Sequence, residues 1–166
     1  VEGVYDSVTV HTSGAEQSDD ITLLCILYLG DTFRLTLRNR LDDMQQLQPF
    51  VCRVAEAWGI DSQKRFQLNL ALDEAVSNVV KYGYRQGSEG VIDLTAQRTG
   101  NTITFTITDS GEPFDPTASD PVDTSLGIED RPIGGLGIHL IKQMMDHVSY
   151  QYAGNKNILT LKINIL

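Results

Sequence analysis

Apolar and polar residues alternate over TFRLTLRN (32–39), with Phe33, Leu35 and Leu37 set against Arg34, Thr36 and Arg38. A period of two is that of a strand with one buried face. The run ITLLCILYL (21–29) is dense, apolar and β-prone, and also of strand length; Gly30-Asp31 breaks the chain after it. The period changes over DDMQQLQPFVCRVAEAWG (42–59), where Met44, Leu47, Val51, Val54, Ala55 and Trp58 keep helical spacing. Asp42 or Asp43 is the expected N-cap, Gly59 the stop, and Pro49 falls within the first turns. Asp61-Ser62 opens a second helix that runs to about Gly83 on the stripe Leu68, Leu72, Ala75, Val76 and Val79. VIDLTAQR (91–98) and NTITFTITD (101–109) read as a hairpin about Thr99-Gly100. Residues 110–133 are rich in Pro, Gly, Asp and Ser and show no period. Loops beyond about 12–15 residues are commonly functional. GGLGIHLIKQMMDH is a third amphipathic helix, and the chain closes in a hairpin turning at Ala153-Gly154-Asn155.

Strands, two helices, two strands, loop, helix, two strands: this order predicts an α+β two-layer sandwich. The sheet is expected to be mixed but mostly antiparallel, with the helices on one face. At 166 residues the chain fits one domain with an appendage, and 41% hydrophobic residues supply a core. The net charge of −9 argues against a nucleic-acid backbone as partner. It leaves a nucleotide open, because a nucleotide needs only local donors and a metal ion. Cys25 and Cys52 lie in apolar surroundings and read as buried thiols rather than a disulfide scaffold. No stretch approaches the roughly 20 apolar residues of a membrane span. No signal peptide is visible, and the initial valine reads as a cut from something longer. A cytoplasmic, membrane-free protein is the expectation.

Three places could carry chemistry. In NLALDEAVSNVVKYGY (69–84), Glu74 and Asn78 stand at i and i+4, one above the other, and Ala71 and Lys81 extend their face. The carboxylate can accept a proton, and the amide oxygen can ligate a hard cation. In TDSGEPFDP (108–116), Asp109 ends a strand where it can accept from an exocyclic amine, and Gly111 lets a flat ring approach the backbone. In IGGLGIHL (133–140), Gly134, Gly135 and Gly137 run into a helix N-terminus, whose free N–H groups suit phosphate oxygens. Each alone is ordinary: E-x-x-x-N recurs by chance, Asp-Ser-Gly is a common turn, and a glycine cluster is often a hinge. In this order they supply a proton acceptor, a metal ligand, a base reader, a lid and a phosphate cradle.

The order and wording resemble the ATP-binding domain shared by gyrase, Hsp90, histidine kinases and MutL, the Bergerat fold. DEAVSNVVKYGY, DSGEPFDP and GGLGIHLIKQMMD are most similar to the anti-sigma-factor serine kinases of bacterial partner-switching systems. The resemblance covers residues 31–166. It implies that Asn78 holds Mg²⁺ between the phosphates of ATP and that Glu74 activates the attacking hydroxyl. It implies that Asp109, with Gly111 beside it, bonds the adenine amine. Gly135 and Gly137 match the glycines of the phosphate-side helix, and Gly134 and Leu136 belong to the same nucleotide-contacting motif. Residues 112–133 match the ATP lid, and Lys81 falls where some relatives place a basic residue near the phosphates. One departure is Tyr82, where many relatives carry histidine.

Residues 1–30, through GAEQSDDITLLCILY, resemble the last segment of PPM-type serine phosphatases, in which an aspartate matching Asp19 or Asp20 is a metal ligand. They read as the remnant of an upstream domain, with no phosphatase site of their own. The expected function is a serine/threonine kinase that phosphorylates an anti-sigma-factor antagonist of the STAS type and sequesters a sigma factor or similar regulator. A homodimer is compatible, since such relatives are often dimers. The alternative is an ATP-binding module that sequesters a regulator without phosphoryl transfer; Glu74 is the residue that separates the two. A complete histidine kinase would need a phosphoacceptor histidine on a dimerisation helix, and His11, His139 and His147 have no such context.

Overall fold

The structure is a computed structural model that describes residues 32–85, 87–118 and 135–165. The apolar run 21–29, Cys25, the aspartates at 19 and 20, most of the 112–133 loop and Gly134 lie outside the described residues.

Five strands form one sheet: β1 (Thr32–Arg38), β2 (Val91–Thr99), β3 (Thr102–Asp109), β4 (His147–Ala153) and β5 (Lys156–Asn164), in spatial order β1-β2-β3-β5-β4. Every pairing among them is antiparallel. The register aligns the apolar positions of neighbouring strands, so one row reads Phe33, Ala96, Phe105, Leu161 and another Leu35, Leu94, Ile107, Leu159. The opposite face carries threonines in register, Thr95, Thr106 and Thr160. Those strands are half-buried on two-residue alternation because only one face meets the helices. The β4–β5 turn places Gly154 and Asn155 at φ 58° and 59°, the left-handed pair that suits a tight hairpin.

Helices α1 (Leu47–Trp58), α2 (Ser62–Asn78) and α3 (Gly135–Met144) contribute to one continuous core with the sheet. Gly59 ends α1 in the left-handed region at φ 67°. Asp61 caps α2, its side chain accepting from the Lys64 N–H at 2.9 Å. The start of α1 differs from expectation. Neither Asp42 nor Asp43 caps an α-helix; both lie in a 3₁₀ segment, Leu41–Gln46, and Asp43 instead accepts from the Arg38 N–H at 2.9 Å. The α-helix proper starts at Leu47, which sets Pro49 in its first turn, where the missing N–H has no partner to lose. Cys52 is a half-buried free thiol.

Helix α2 departs from a one-sided stripe. Leu68, Ala71, Leu72, Ala75 and Val76 are all buried, so Ala71, which spacing sets on the polar face, belongs to the core. The reason is that α2 is sandwiched: it packs on the sheet and is flanked by α1 and α3. After Asn78 the chain widens into a turn of π-helix, Val79–Gly83, before extending at Tyr84. Such widened turns re-aim the residues that follow them.

Candidate nucleotide site

Asp109 is the last residue of β3 and lies on the core-facing row of the sheet, in register with Ile92 and Asn157. It is only 5% exposed. A buried carboxylate needs donors, and Asp109 Oδ1 has two: the Gly111 N–H at 2.8 Å and Asn157 Nδ2 at 2.9 Å. Oδ2 accepts no hydrogen bond from the described residues. Asp109 lines a pocket whose walls are mostly apolar: Ala75, Val79, Ile138, Ile141, Leu159 and Phe114. Asn78, Tyr82, Gly83, Glu112, Pro116, Tyr150 and Asn157 complete its lining. An apolar slot with one buried acceptor suits a flat, uncharged ring that carries an N–H donor.

Gly83 and Gly111 close one end by direct backbone approach. A Cβ on Gly111 would collide with the Gly83 carbonyl oxygen and lie 2.9 Å from Asp109 Oδ1. The absence of a side chain lets Gly83 O accept the Glu112 N–H at 2.8 Å. That bond, the exposed Arg85–Glu112 ion pair at 2.7 Å and the Phe114 N–H on Asn157 Oδ1 at 3.3 Å hold the root of the long loop against α2 and β5. Farther along, Lys142 Nζ donates to the Thr117 carbonyl at 3.2 Å, joining the 3₁₀ turn Pro116–Ala118 to α3.

Glu74 and Asn78 sit at the last turns of α2, half-buried, and neither side chain has a hydrogen-bond partner among the described residues. Asn78 opens onto the pocket. Glu74 lies against α3: a Cβ on Gly137 would collide with its carboxylate. Gly135 and Leu136 begin α3, and Gly137 is its third residue. The first turn of α3 therefore stands beside Glu74, and its backbone N–H groups, which have no partner within the helix, are of the kind that favour anions. Lys81 is placed elsewhere. It is exposed and lines a separate polar cleft with Arg40, Val80, Tyr84 and Arg85, on the far side of the π-turn. A regular helix would have kept Lys81 on the face of Asn78; the widened turn carries it away.

Two tyrosines flank the site. Tyr84 OH accepts from the Ser110 N–H and donates to the Val91 carbonyl, both at 3.1 Å. Burial, joined by the charge of Asp109, raises its pKa, and the Ser110 N–H opposes the rise. Tyr150 OH donates to Asn157 Oδ1 at 2.7 Å. Burial raises its pKa too, helped by the Asp115 and Asp109 charges against the Phe114 N–H.

Asn157 and Tyr150 escape the sequence analysis, which takes both as ordinary strand residues. A signal existed. Asn157 shares the two-residue period of Leu159, Leu161 and Ile163, so it is a polar residue on the core face of a strand.

Residues 37–163 match the histidine kinase-like ATPase domain. The chain belongs to that family. Within this ATPase domain family it is 34% identical over 133 residues to the serine/threonine-protein kinase BtrW of Bordetella bronchiseptica, covering 79% of this chain and 91% of that one. It is 37% identical over 91 residues to the serine-protein kinase RsbW of Staphylococcus epidermidis, covering 51% of this chain and 57% of the relative. The fold also matches the crystal structure of the RsbU and RsbW domains of a Mycobacterium tuberculosis protein. The TM-score is 0.60 at 15% identity, over 82% of this chain and 33% of that one. A blue-light activated histidine kinase of Erythrobacter litoralis matches at a TM-score of 0.51 and 15% identity, over 72% and 42%. The five-stranded antiparallel sheet with its three helices is thus the open α+β fold of histidine kinase-like ATPase domains. Among the described residues no helix is long and apolar enough to cross a membrane.

Proposed function

We propose that the domain binds Mg-ATP in this pocket and transfers its γ-phosphoryl group to a serine or threonine of a partner protein. The single observation that carries the proposal is the convergence of Asp109 and Asn78 on one apolar pocket, with Glu74 and the first turn of α3 side by side at its edge. The kinase names of relatives at 34% and 37% identity support the same reading.

In this reading the base lies in the apolar slot and gives its exocyclic N–H to Asp109. The phosphates extend toward Asn78 and the first turn of α3. Among the described residues no cluster of three acidic, histidine or cysteine side chains could hold a metal by itself. That fits Mg²⁺, which keeps several waters and takes one or two protein ligands plus substrate phosphates. The unpartnered Asn78 amide oxygen suits such a ligand. The ion would supply charge neutralisation on the phosphates. Glu74 would orient the incoming hydroxyl and accept its proton as the oxygen–phosphorus bond forms. The bond from the γ-phosphorus to the bridging oxygen breaks, and ADP leaves. Phosphoryl transfer asks mostly for positioning and electrostatics, so a Glu74 carboxylate with no other hydrogen-bond partner among the described residues is suited to the role.

The substrate class proposed is an anti-sigma-factor antagonist domain, and the second partner a sigma factor or similar regulator. Titration with Mg-ATP tests the site. Saturation at about 100 times Kd raises stability by about 2.7 kcal/mol, and Asp109→Asn should abolish most of the accompanying rise in Tm. An unmoved Tm at millimolar Mg-ATP would remove the nucleotide site. Incubation with the cognate antagonist and labelled ATP tests transfer; ATP binding without labelled antagonist would leave a sequestering module instead.

A further inference from the structure

We propose that Asn157, oriented by Tyr150, is a positioning residue that sets selectivity for a 6-amino over a 6-oxo purine, by fixing the rotation of the Asp109 carboxylate. The inference rests on the nucleotide reading above and adds two residues that the sequence motifs do not contain.

Asn157 is 7% exposed on a sheet row shared with Leu37, Ile92, Asp109 and Tyr152, where an apolar side chain would cost less to bury. Its amide is fully engaged. The two hydrogens of Nδ2 are shared among three acceptors, Asp109 Oδ1 at 2.9 Å, the Glu112 carbonyl at 3.2 Å and the Gly111 carbonyl at 3.4 Å. Oδ1 accepts from Tyr150 OH at 2.7 Å and the Phe114 N–H at 3.3 Å. These neighbours decide which way the amide faces. A backbone N–H can only donate, so Oδ1 must face Phe114; backbone carbonyls can only accept, so Nδ2 must face Gly111 and Glu112. The NH₂ group is therefore aimed at Asp109 with no alternative orientation.

The consequence falls on Asp109. Its Oδ1 takes N–H groups from opposite partners, Gly111 on its own strand end and Asn157 on the adjacent strand. Two donors on one oxygen fix the rotation of the carboxylate. Oδ2 is then left as an acceptor for whatever enters the pocket. A 6-amino group completes that acceptor. A 6-oxo group would set oxygen against oxygen, and Asp109 would have to turn to relieve it. Asn157 opposes that turn. Without the Asn157 donor the carboxylate is held by Gly111 alone, and rotation becomes accessible.

The test measures Kd for Mg-ATP and Mg-GTP by calorimetry at constant ionic strength, in the parent protein, Asn157→Leu and Tyr150→Phe. The parent should prefer ATP by on the order of a hundredfold. Asn157→Leu should shrink that ratio by about tenfold, and Tyr150→Phe by about threefold, since it loosens the amide without removing it. A general loss of folding or pocket shape would weaken both nucleotides alike and leave the ratio unchanged. Equal ATP and GTP affinity in the parent, or an unchanged ratio in Tyr150→Phe and in any folded Asn157→Leu, overturns the inference while the nucleotide reading stands. Failure of the parent to bind either nucleotide removes both.

Discussion

Gly111→Ala is the substitution whose cost can be worked most directly from the structure. The added methyl would meet the Gly83 carbonyl oxygen and carbon, the latter at 2.8 Å, and Asp109 Oδ1 at 2.9 Å. None of these can swing aside. Two are backbone atoms following the π-turn, and the third is a carboxylate pinned by Asn157. The chain at residue 111 must move instead. Two hydrogen bonds go with it: Glu112 N–H to Gly83 O, and Gly111 N–H to Asp109 Oδ1, each 2.8 Å. A neutral bond contributes about 0.5–1.5 kcal/mol and one to a charged group about 1.5–3. The expected loss is therefore about 2–4 kcal/mol. The fold should survive, because domain stabilities run about 5–15 kcal/mol. Gly137→Ala is the matched contrast. The atoms its methyl meets first, Oε1, Cδ and Cγ, all belong to the flexible Glu74 side chain, which has no hydrogen bond to lose among the described residues. Moving Glu74 is offset by replacing a helical glycine, worth about 1 kcal/mol. Gly137→Ala should stay within about 1 kcal/mol of the parent. Urea unfolding followed by the fluorescence of Trp58, the sole tryptophan and a buried one, reads both. A lower midpoint at constant slope is expected for Gly111→Ala alone. Equal midpoints for the two variants would refute the distinction between a rigid and a yielding obstacle.

Glu74→Gln should leave Mg-ATP affinity within a fewfold of the parent and lower phosphoryl transfer by about 10²–10⁴; unchanged transfer would take the proton acceptor's role from Glu74. Leu72→Ala, at a fully buried position between sheet and helices, should cost about 2–5 kcal/mol in urea unfolding. Alkali offers a further check. Tyr84 has its pKa raised in the folded state, so its contribution to stability is complete below the ordinary tyrosine pKa and is lost as pH rises through the raised value. Tyr84→Phe should be less stable at neutral pH, having lost two hydrogen bonds, yet show a flatter decline above about pH 10; an equally steep decline would mean that other groups set the alkaline limit.

Much of this protein is written locally in its chain. Alternation of Phe33, Leu35 and Leu37, and of Ile103, Phe105 and Ile107, declares strands with one buried face because successive side chains point opposite ways. The Asp61 cap, the Gly59 stop and the Gly154-Asn155 turn are likewise local, since each depends on a few backbone angles and one side chain. Glu74, Asn78, Asp109 and Gly137 stand out because a core-forming domain has little use for them in that order. What the chain could not declare is whatever depends on partners far away in sequence. Ala71 is buried on a helix that both α1 and α3 flank. Lys81 lines a different cleft from Asn78, after a π-turn that no residue type announces. Asn157 meets Asp109 because β3 and β5, 48 residues apart at that pair, happen to be neighbours in register. Period and turn chemistry decided the elements and the candidates. Strand order and register, set by the burial of whole faces, decided which of those candidates share a site and which unheralded residues hold them in place.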